Sequence, residues 1–115
     1  MTDEDLQSLG KLTHPNFDRV LERSYTWITA HEGETLVGYV NVVWDGGVHF
    51  FLLDTVVRPS HRHQGIGSRL VQEVIDACRG EGNVLHVDAE QDLMRDFYEP
   101  NGFIPTAAGL VWLGS

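Results

Sequence analysis

The chain has 115 residues, 42% of them hydrophobic, and 17 acidic against 8 basic side chains give a formal net charge of −9. That is length for a single domain, residues 1–115, and not for two. The acidity argues against non-specific binding of nucleic acid, no apolar run approaches the roughly 20 residues of a membrane helix, and the lone Cys78 excludes a disulfide scaffold. In chain order, residues 3–12 (DEDLQSLGKL) are expected to form a short helix with Leu6, Leu9 and Leu12 on one side, weakened by Gly10. This acidic, polar start is unlike a signal peptide, so a cytoplasmic location is expected. His14-Pro15 breaks the helix, and Asn16 caps a second one, Phe17 to about Arg23, with Phe17, Val20 and Leu21 inward.

Tyr25 to Ala30 is rich in strand formers, Glu32-Gly33-Glu34 turns, and Thr35 to Trp44 returns as the second strand of a hairpin. After the Asp45-Gly46-Gly47 turn, His49 to Val57 reads as a third strand, which Pro59 cannot continue. A helix from about Gly65 to Arg79 carries the apolar stripe Leu70, Val71, Val74, Ile75 and Cys78, and Gly80 and Gly82 stop it. Asn83 to Val87 is a short buried strand, most simply the parallel partner of the third strand through a right-handed crossover. Asp92 is expected to cap a helix over Leu93–Tyr98, with Leu93, Met94 and Phe97 inward, and Pro100 to end it. Phe103-Ile104 and Gly109 to Leu113 are expected as final strands, giving a mixed α/β sandwich.

The stretch from the third strand into the long helix carries the chemistry. A glycine-bearing turn entering a helix N-terminus offers free backbone amides and the positive end of the helix dipole to an anion. Gly65 and Gly67 remove Cβ atoms from the approach, and Arg62 and His63 add donors. Arg58, Arg62 and Arg69 cluster there in an otherwise acidic chain, which fits a polyanionic ligand. The dinucleotide fingerprint fails because Leu70 stands at its third glycine, and no Gly-Lys-Ser/Thr makes a P-loop. What remains is V-x-P-x-x-R-x-x-G-x-G-x-x-L, on Val57, Pro59, Arg62, Gly65, Gly67 and Leu70; an ordinary strand-to-helix turn is the bland alternative. His61-x-His63 and His86-x-Asp88 lack the spacing of a metal site, and no metal is expected.

This pattern resembles the acetyl-CoA pyrophosphate motif of the GNAT superfamily of N-acetyltransferases. Asp96 to Phe103 (DFYEPNGF) resembles the F-Y-E-x-x-G-F motif of the same superfamily, one strand and one helix further on. Over about residues 34–113 the chain is similar to small, functionally unassigned members. The resemblance implies an α/β (α+β) fold: a mixed, mostly antiparallel sheet with a β-α-β crossover and helices on both faces. The strand that usually precedes the first helix has no counterpart before Asp3: this member lacks it, a second copy covers the exposed edge as a homodimer, or the chain is truncated. It also implies a V-shaped cleft where the strands around Val57 and Leu85 splay.

By motif, Thr55, Val56 and Val57 would meet pantetheine and the thioester. The amides of Arg62, His63, Gln64, Gly65, Ile66, Gly67 and Ser68 would meet the pyrophosphate. Gln91 stands where many members carry a cofactor-fixing asparagine, and Tyr98 would lie near the sulfur. The implied reaction is direct attack of a primary amine of a small acceptor on acetyl-CoA. Asp54, working through water, is the candidate base, with Asp88 and Glu90 as rivals. A strand amide near Val56 would stabilise the oxyanion, and Tyr98 would protonate the thiolate. Pro100, two residues after Tyr98, departs from the family pattern. A non-catalytic acyl-CoA-binding or sensing module with the same fold is the alternative. The acceptor is not encoded in these motifs; it belongs to residues 1–30 and the loops around 44–48 and 104–109.

Overall fold

The computed structural model describes residues 1–10 and 14–114. Helix α1 (Asp3–Gln7) opens on a capping box, in which Thr2 Oγ1 accepts from the Asp5 amide and the Asp5 carboxylate accepts from the Thr2 amide. It is shorter than the expected 3–12 helix, and Gly10 at φ +88° turns the chain away. Leu6 and Leu9 are buried as expected, while Leu12 lies outside the described residues. Helix α2 (Phe17–Arg23) starts at the expected cap, Asn16 Oδ1 accepting from the Asp18 amide at 2.9 Å. Strands β1 (Thr26–Glu32) and β2 (Thr35–Trp44) form the antiparallel hairpin, with one irregularity at Ala30/His31. No strand precedes α1 among the described residues.

The expected third strand, 49–57, is two strands. β3 (His49–Leu52) and β4 (Val56–Val57) both pair antiparallel with β2, but in different registers. Val42 faces Leu52 and Tyr39 faces Val56, so the chain takes one more residue than β2 to cover the same distance. That extra residue is a bulge over 53–55, which switches the side-chain faces. Leu52 is buried in one core and Val56 in another, on opposite sides of the sheet.

Helix α3 (Ile66–Cys78) crosses over to β5 (Val84–His86), which pairs parallel with β3 and gives the order β1-β2-β3-β5, with β4 attached to β2. Leu70, Val71, Val74 and Cys78 of α3 pack with Val40, Val42, Phe50, Leu52 and Tyr98. On the other face Leu6, Leu9 and Phe17 pack with Leu36, Tyr39 and Val56. β2 therefore supplies both cores, Leu36 and Tyr39 one and Val40 and Val42 the other, which explains its near-continuous apolar run. No helix among the described residues is long and apolar enough to cross a membrane.

The C-terminal part departs from expectation in three places. Helix α4 (Gln91–Leu93) follows Glu90, so Asp92 lies in its first turn instead of capping it. It runs on as a π-helical turn, Met94–Tyr98, and a 3-10 turn, Glu99–Asn101, so Pro100 lies within the helical stretch. Proline is tolerated there because the first turn of a helix needs no amide donor, and Gly102 at φ +102° makes the actual stop. The wide turn rotates Leu93 outward, half exposed, and brings Tyr98 into the core. Finally, Phe103-Ile104 and Gly109 to Leu113 form no strands. Phe103 packs on the core, but Pro105 lacks a ladder donor and the chain beyond it leaves the sheet exposed.

Gly82 leaves room for a ring: a Cβ there would fall 2.7 Å from the buried Phe50 side chain and 3.1 Å from the Gly47 carbonyl. Gly82→Ala is expected to destabilise the protein by about 1–3 kcal/mol through overpacking. The check is its urea midpoint, with Phe50→Leu in the same chain expected to recover part of the loss.

Candidate functional site

A cleft of about 570 Å³ lies between β4, the turn that follows it, the start of α3 and the helical stretch from Leu93 to Tyr98. Its first wall is backbone. β5 pairs with β3 alone, and β4 pairs with β2 alone, so the cleft-side edge of Val56–Val57 has no strand partner among the described residues. The sheet is thus split open, as the resemblance implied.

The second wall is the α3 N-terminus. The Arg69 amide donates to Gly65 O at 3.1 Å, so the amides of Ile66, Gly67 and Ser68 precede the first intrahelical bond and remain free toward the cleft. The two glycines have different tasks. Gly65 caps the helix at φ +83°, a left-handed conformation that L side chains resist. Gly67 lets two elements approach, since a Cβ there would lie 3.3 Å from the Phe97 ring and 3.6 Å from Val57. His63 also takes a positive φ, 63°, curling the turn between Arg62 and Gly65.

Of the three clustered arginines, Arg62 lines the cleft and makes no ion pair among the described residues. Arg58 serves the fold instead: its Nε and Nη2 donate to Leu36 O at 2.9 and 2.7 Å, and Nη2 reaches Ser8 Oγ at 2.9 Å. Arg69 pairs with Glu73 at 2.9 Å on the exposed side of α3. The expected arginine cluster is therefore one cleft arginine, flanked by His61 and His63. His61 Nε2 lies 3.1 Å from the Glu32 carboxylate.

Thr55, Val56, Val57, Arg62, His63, Gly65, Ile66, Gly67, Ser68 and Tyr98 all meet at the cleft. Gln64 lines the adjoining hollow with Arg69 and Ile28, and Gln91 is exposed outside the cleft lining. Asp88 and Glu90 are exposed in the segment after β5. His61, Leu93 and Phe97 line the cleft without having been singled out; helical periodicity had assigned Leu93 and Phe97 to the core, and it could not register the π turn.

Tyr98 is buried, and its hydroxyl donates to Thr55 Oγ1 at 3.4 Å. Phe97 and Phe103 hold its ring edge-on. Burial pushes the phenol up from its ordinary value, and the Thr55 hydrogen bond pulls it back in part. Asp54 does not line the cleft. Its carboxylate is bound to His14 Nε2 at 2.5 Å, while the His14 ring stands edge-on to Phe17. Forty positions separate His14 from Asp54, so no local spacing could have announced the pair. Tyr39, fully buried close by, has a hydroxyl with no partner among the described residues; burial, and next the Asp54 charge, push its phenol up.

The acetyltransferase (GNAT) family model matches residues 3–103. N-alpha-acetyltransferase RimI of Mycobacterium tuberculosis is 33% identical over 91 residues, covering 76% of this chain and 58% of that protein. An uncharacterized protein of Mycobacterium leprae is 31% identical over 91 residues, with 76% of this chain and 25% of that protein covered. The chain thus spans a little over half of one curated relative and a quarter of the other. A GNAT-family acetyltransferase from Streptococcus pneumoniae superposes with a TM-score of 0.83 at 27% identity, covering 99% of this chain and 92% of that one. A protein of unknown function from meticillin-resistant Staphylococcus aureus gives 0.84 at 21% identity, covering 100% and 94%.

The raised phenols of Tyr98 and Tyr39 predict a titration. Between the ordinary value of 10.0 and their own, the unfolded chain has released protons that the folded chain keeps, so stability falls as pH rises above 10.0. Absorbance at alkaline pH is expected to show a late phenol component from the two buried tyrosines, and Tyr98→Phe is expected to remove part of it.

Proposed function

The chain belongs to the GNAT acetyltransferase family, and on that premise we propose that it is an N-acetyltransferase that moves the acetyl group of acetyl-CoA to a primary amine of a small acceptor. The observation that carries this reading is the free β4 edge beside the open amides of α3, with the Tyr98 hydroxyl at Thr55. An extended arm with its own amides can add to that edge as a peptide adds to a sheet. The amides of Ile66, Gly67 and Ser68 with the Arg62 guanidinium suit a pyrophosphate. The turn carrying His63 and Gly65 wraps it, with Gln64 on its outer side. The single buried thiol fits a reducing compartment, and the cytoplasm is the location proposed.

In this reading an amine nitrogen attacks the thioester carbonyl, the carbon–nitrogen bond forms, and the carbon–sulfur bond breaks. The departing thiolate takes the proton of Tyr98, kept neutral by burial, and the second proton that the amine nitrogen sheds as the amide forms returns to the phenolate. The amine enters as an ammonium of pKa about 10.4 and must lose a proton first. The His14–Asp54 pair receives it through water, the carboxylate balancing the charge that the imidazole gains. This keeps Asp54 in the base and adds His14, from the loop between α1 and α2, as its partner. An amide near Val56 faces the charge that develops on the carbonyl oxygen. The acyl-CoA-binding module shares the cleft, and it is favoured by the position of Asp54 outside the cleft lining.

Calorimetric titration with acetyl-CoA, with dephospho-CoA and NAD as controls, tests the binding half. Selective saturable binding is expected, and Gly65→Val should weaken it by straining the left-handed cap. With an amine acceptor in hand, Tyr98→Phe should lower turnover about 100-fold or more and leave acetyl-CoA affinity little changed. Parallel loss of both would make Tyr98 structural. Binding with no transfer to any amine would leave the module.

A further inference from the structure

One side chain joins two walls of the cleft. Asn101 closes the 3-10 turn Glu99–Asn101, just past the π-helical turn that carries Tyr98. Its Nδ2 donates to Phe97 O at 2.9 Å and to Ser68 Oγ at 3.2 Å. Its Oδ1 accepts from Gln72 Nε2 at 3.1 Å, and its backbone carbonyl accepts from the same nitrogen at 3.2 Å. Ser68 and Gln72 are i and i+4 on α3, so they share one face of that helix. Phe97 belongs to the facing wall. The two protons of the Asn101 amide are thus divided between the walls.

These bonds hold the parts of the cleft that a long ligand would meet at its two ends. Ser68 supplies one of the free amides at the start of α3. Phe97 precedes Tyr98, whose hydroxyl lies at Thr55. Gly67 lets Phe97 come close to α3, but a missing Cβ permits closeness without fixing it. Hydrogen bonds fix distance and direction together. Asn101 itself does not line the cleft. It falls at one of the unspecified positions of F-Y-E-x-x-G-F, so the motif does not single it out.

We propose, on the reading that acetyl-CoA fills the cleft, that Asn101 is a positioning residue. It holds the anion-binding start of α3 and the Phe97–Tyr98 turn at the separation that one cofactor molecule spans. A ligand that bridges two subsites gains from the linkage only when both stand at the distance its own length sets. Loosening the bridge therefore costs the whole ligand that gain and leaves each half of it bound as before. The link needs a side chain that donates in two directions and accepts in a third, which aspartate and alanine cannot do.

The test is calorimetric titration of the full chain with acetyl-CoA, alongside NMR titration with its two halves, ADP for the pyrophosphate end and S-acetylpantetheine for the thioester end. Asn101→Ala is expected to weaken acetyl-CoA binding about tenfold and binding of each half by less than about twofold. Asn101→Asp keeps the shape, loses the donors and should behave as Asn101→Ala does. Gln72→Ala should give a smaller loss of the same kind, and no further loss when combined with Asn101→Ala, because both act through one link. Gln72 is exposed, so its variant carries the same comparison where Asn101→Ala does not fold, and circular dichroism at the titration temperature reports which variants are folded. Equal weakening of acetyl-CoA and of both halves would make Asn101 a structural residue and overturn the proposal. So would an unchanged acetyl-CoA affinity in the folded variants, or a Gln72 effect that adds in full to that of Asn101. A native chain that binds neither acetyl-CoA nor its halves removes the cofactor reading and this proposal with it; native binding that the variants leave intact removes the proposal alone.

Discussion

The cleft depends on one extra residue between Leu52 and Val56. Ladder pairing holds β3 to β2 on one side and to β5 on the other as far as Leu52 and Phe51. The bulge then puts β4 out of step, and its only partner is β2. A sheet that continued in register would have had no free edge at Val56–Val57 and no gap to receive a ligand. The same extra residue sends neighbouring side chains to different places: Thr55 to the hydroxyl of Tyr98, Asp54 to the imidazole of His14.

A second irregularity answers the first across the gap. The Glu99 amide reaches back to Met94 O, one residue further than in an α-helix, and this wide turn carries Tyr98 into the core. Gly67 lets the Phe97 ring lie against α3, so this packing and the turn through His63 and Gly65 both wall the cleft. The charges are divided just as sharply. Arg58 ties the exit of β4 to α1 through Leu36 O and Ser8, leaving Arg62 as the cleft arginine.

β2 makes these displacements tolerable. It is buried on both faces, with Val40 and Val42 toward α3 and Tyr39 toward α1 and α2. Gly38 lets α3 come close, since a Cβ would meet Leu70 at 3.0 Å and Ile66 at 3.1 Å. Asn41 is the polar exception, fully buried, and its amide donates to Ser24 Oγ at 3.0 Å at the end of α2. One rigid strand thus anchors the hairpin, both helix layers and both halves of the broken third strand.

The sequence by itself determined the elements whose causes are local. The α2 cap at Asn16, the hairpin, the apolar stripe of α3 and the glycine turn at Gly65 all follow from propensity, periodicity and backbone freedom within a few residues. The same locality made the two family motifs legible, because R-x-x-G-x-G and F-Y-E-x-x-G-F each lie within one turn or helix. Tertiary structure decided the rest. Whether 49–57 is one strand or two depends on its register against β2, and only then is it settled that Thr55 and Asp54 part company. Which arginine faces the cleft depends on carbonyls at Leu36 and Ser8, and His14 meets Asp54 only when α1 and α2 close over the sheet. The final apolar segment shows the limit most clearly: Leu110 to Leu113 has the composition of a strand, but a strand exists only where another edge accepts its hydrogen bonds, and among the described residues none does so.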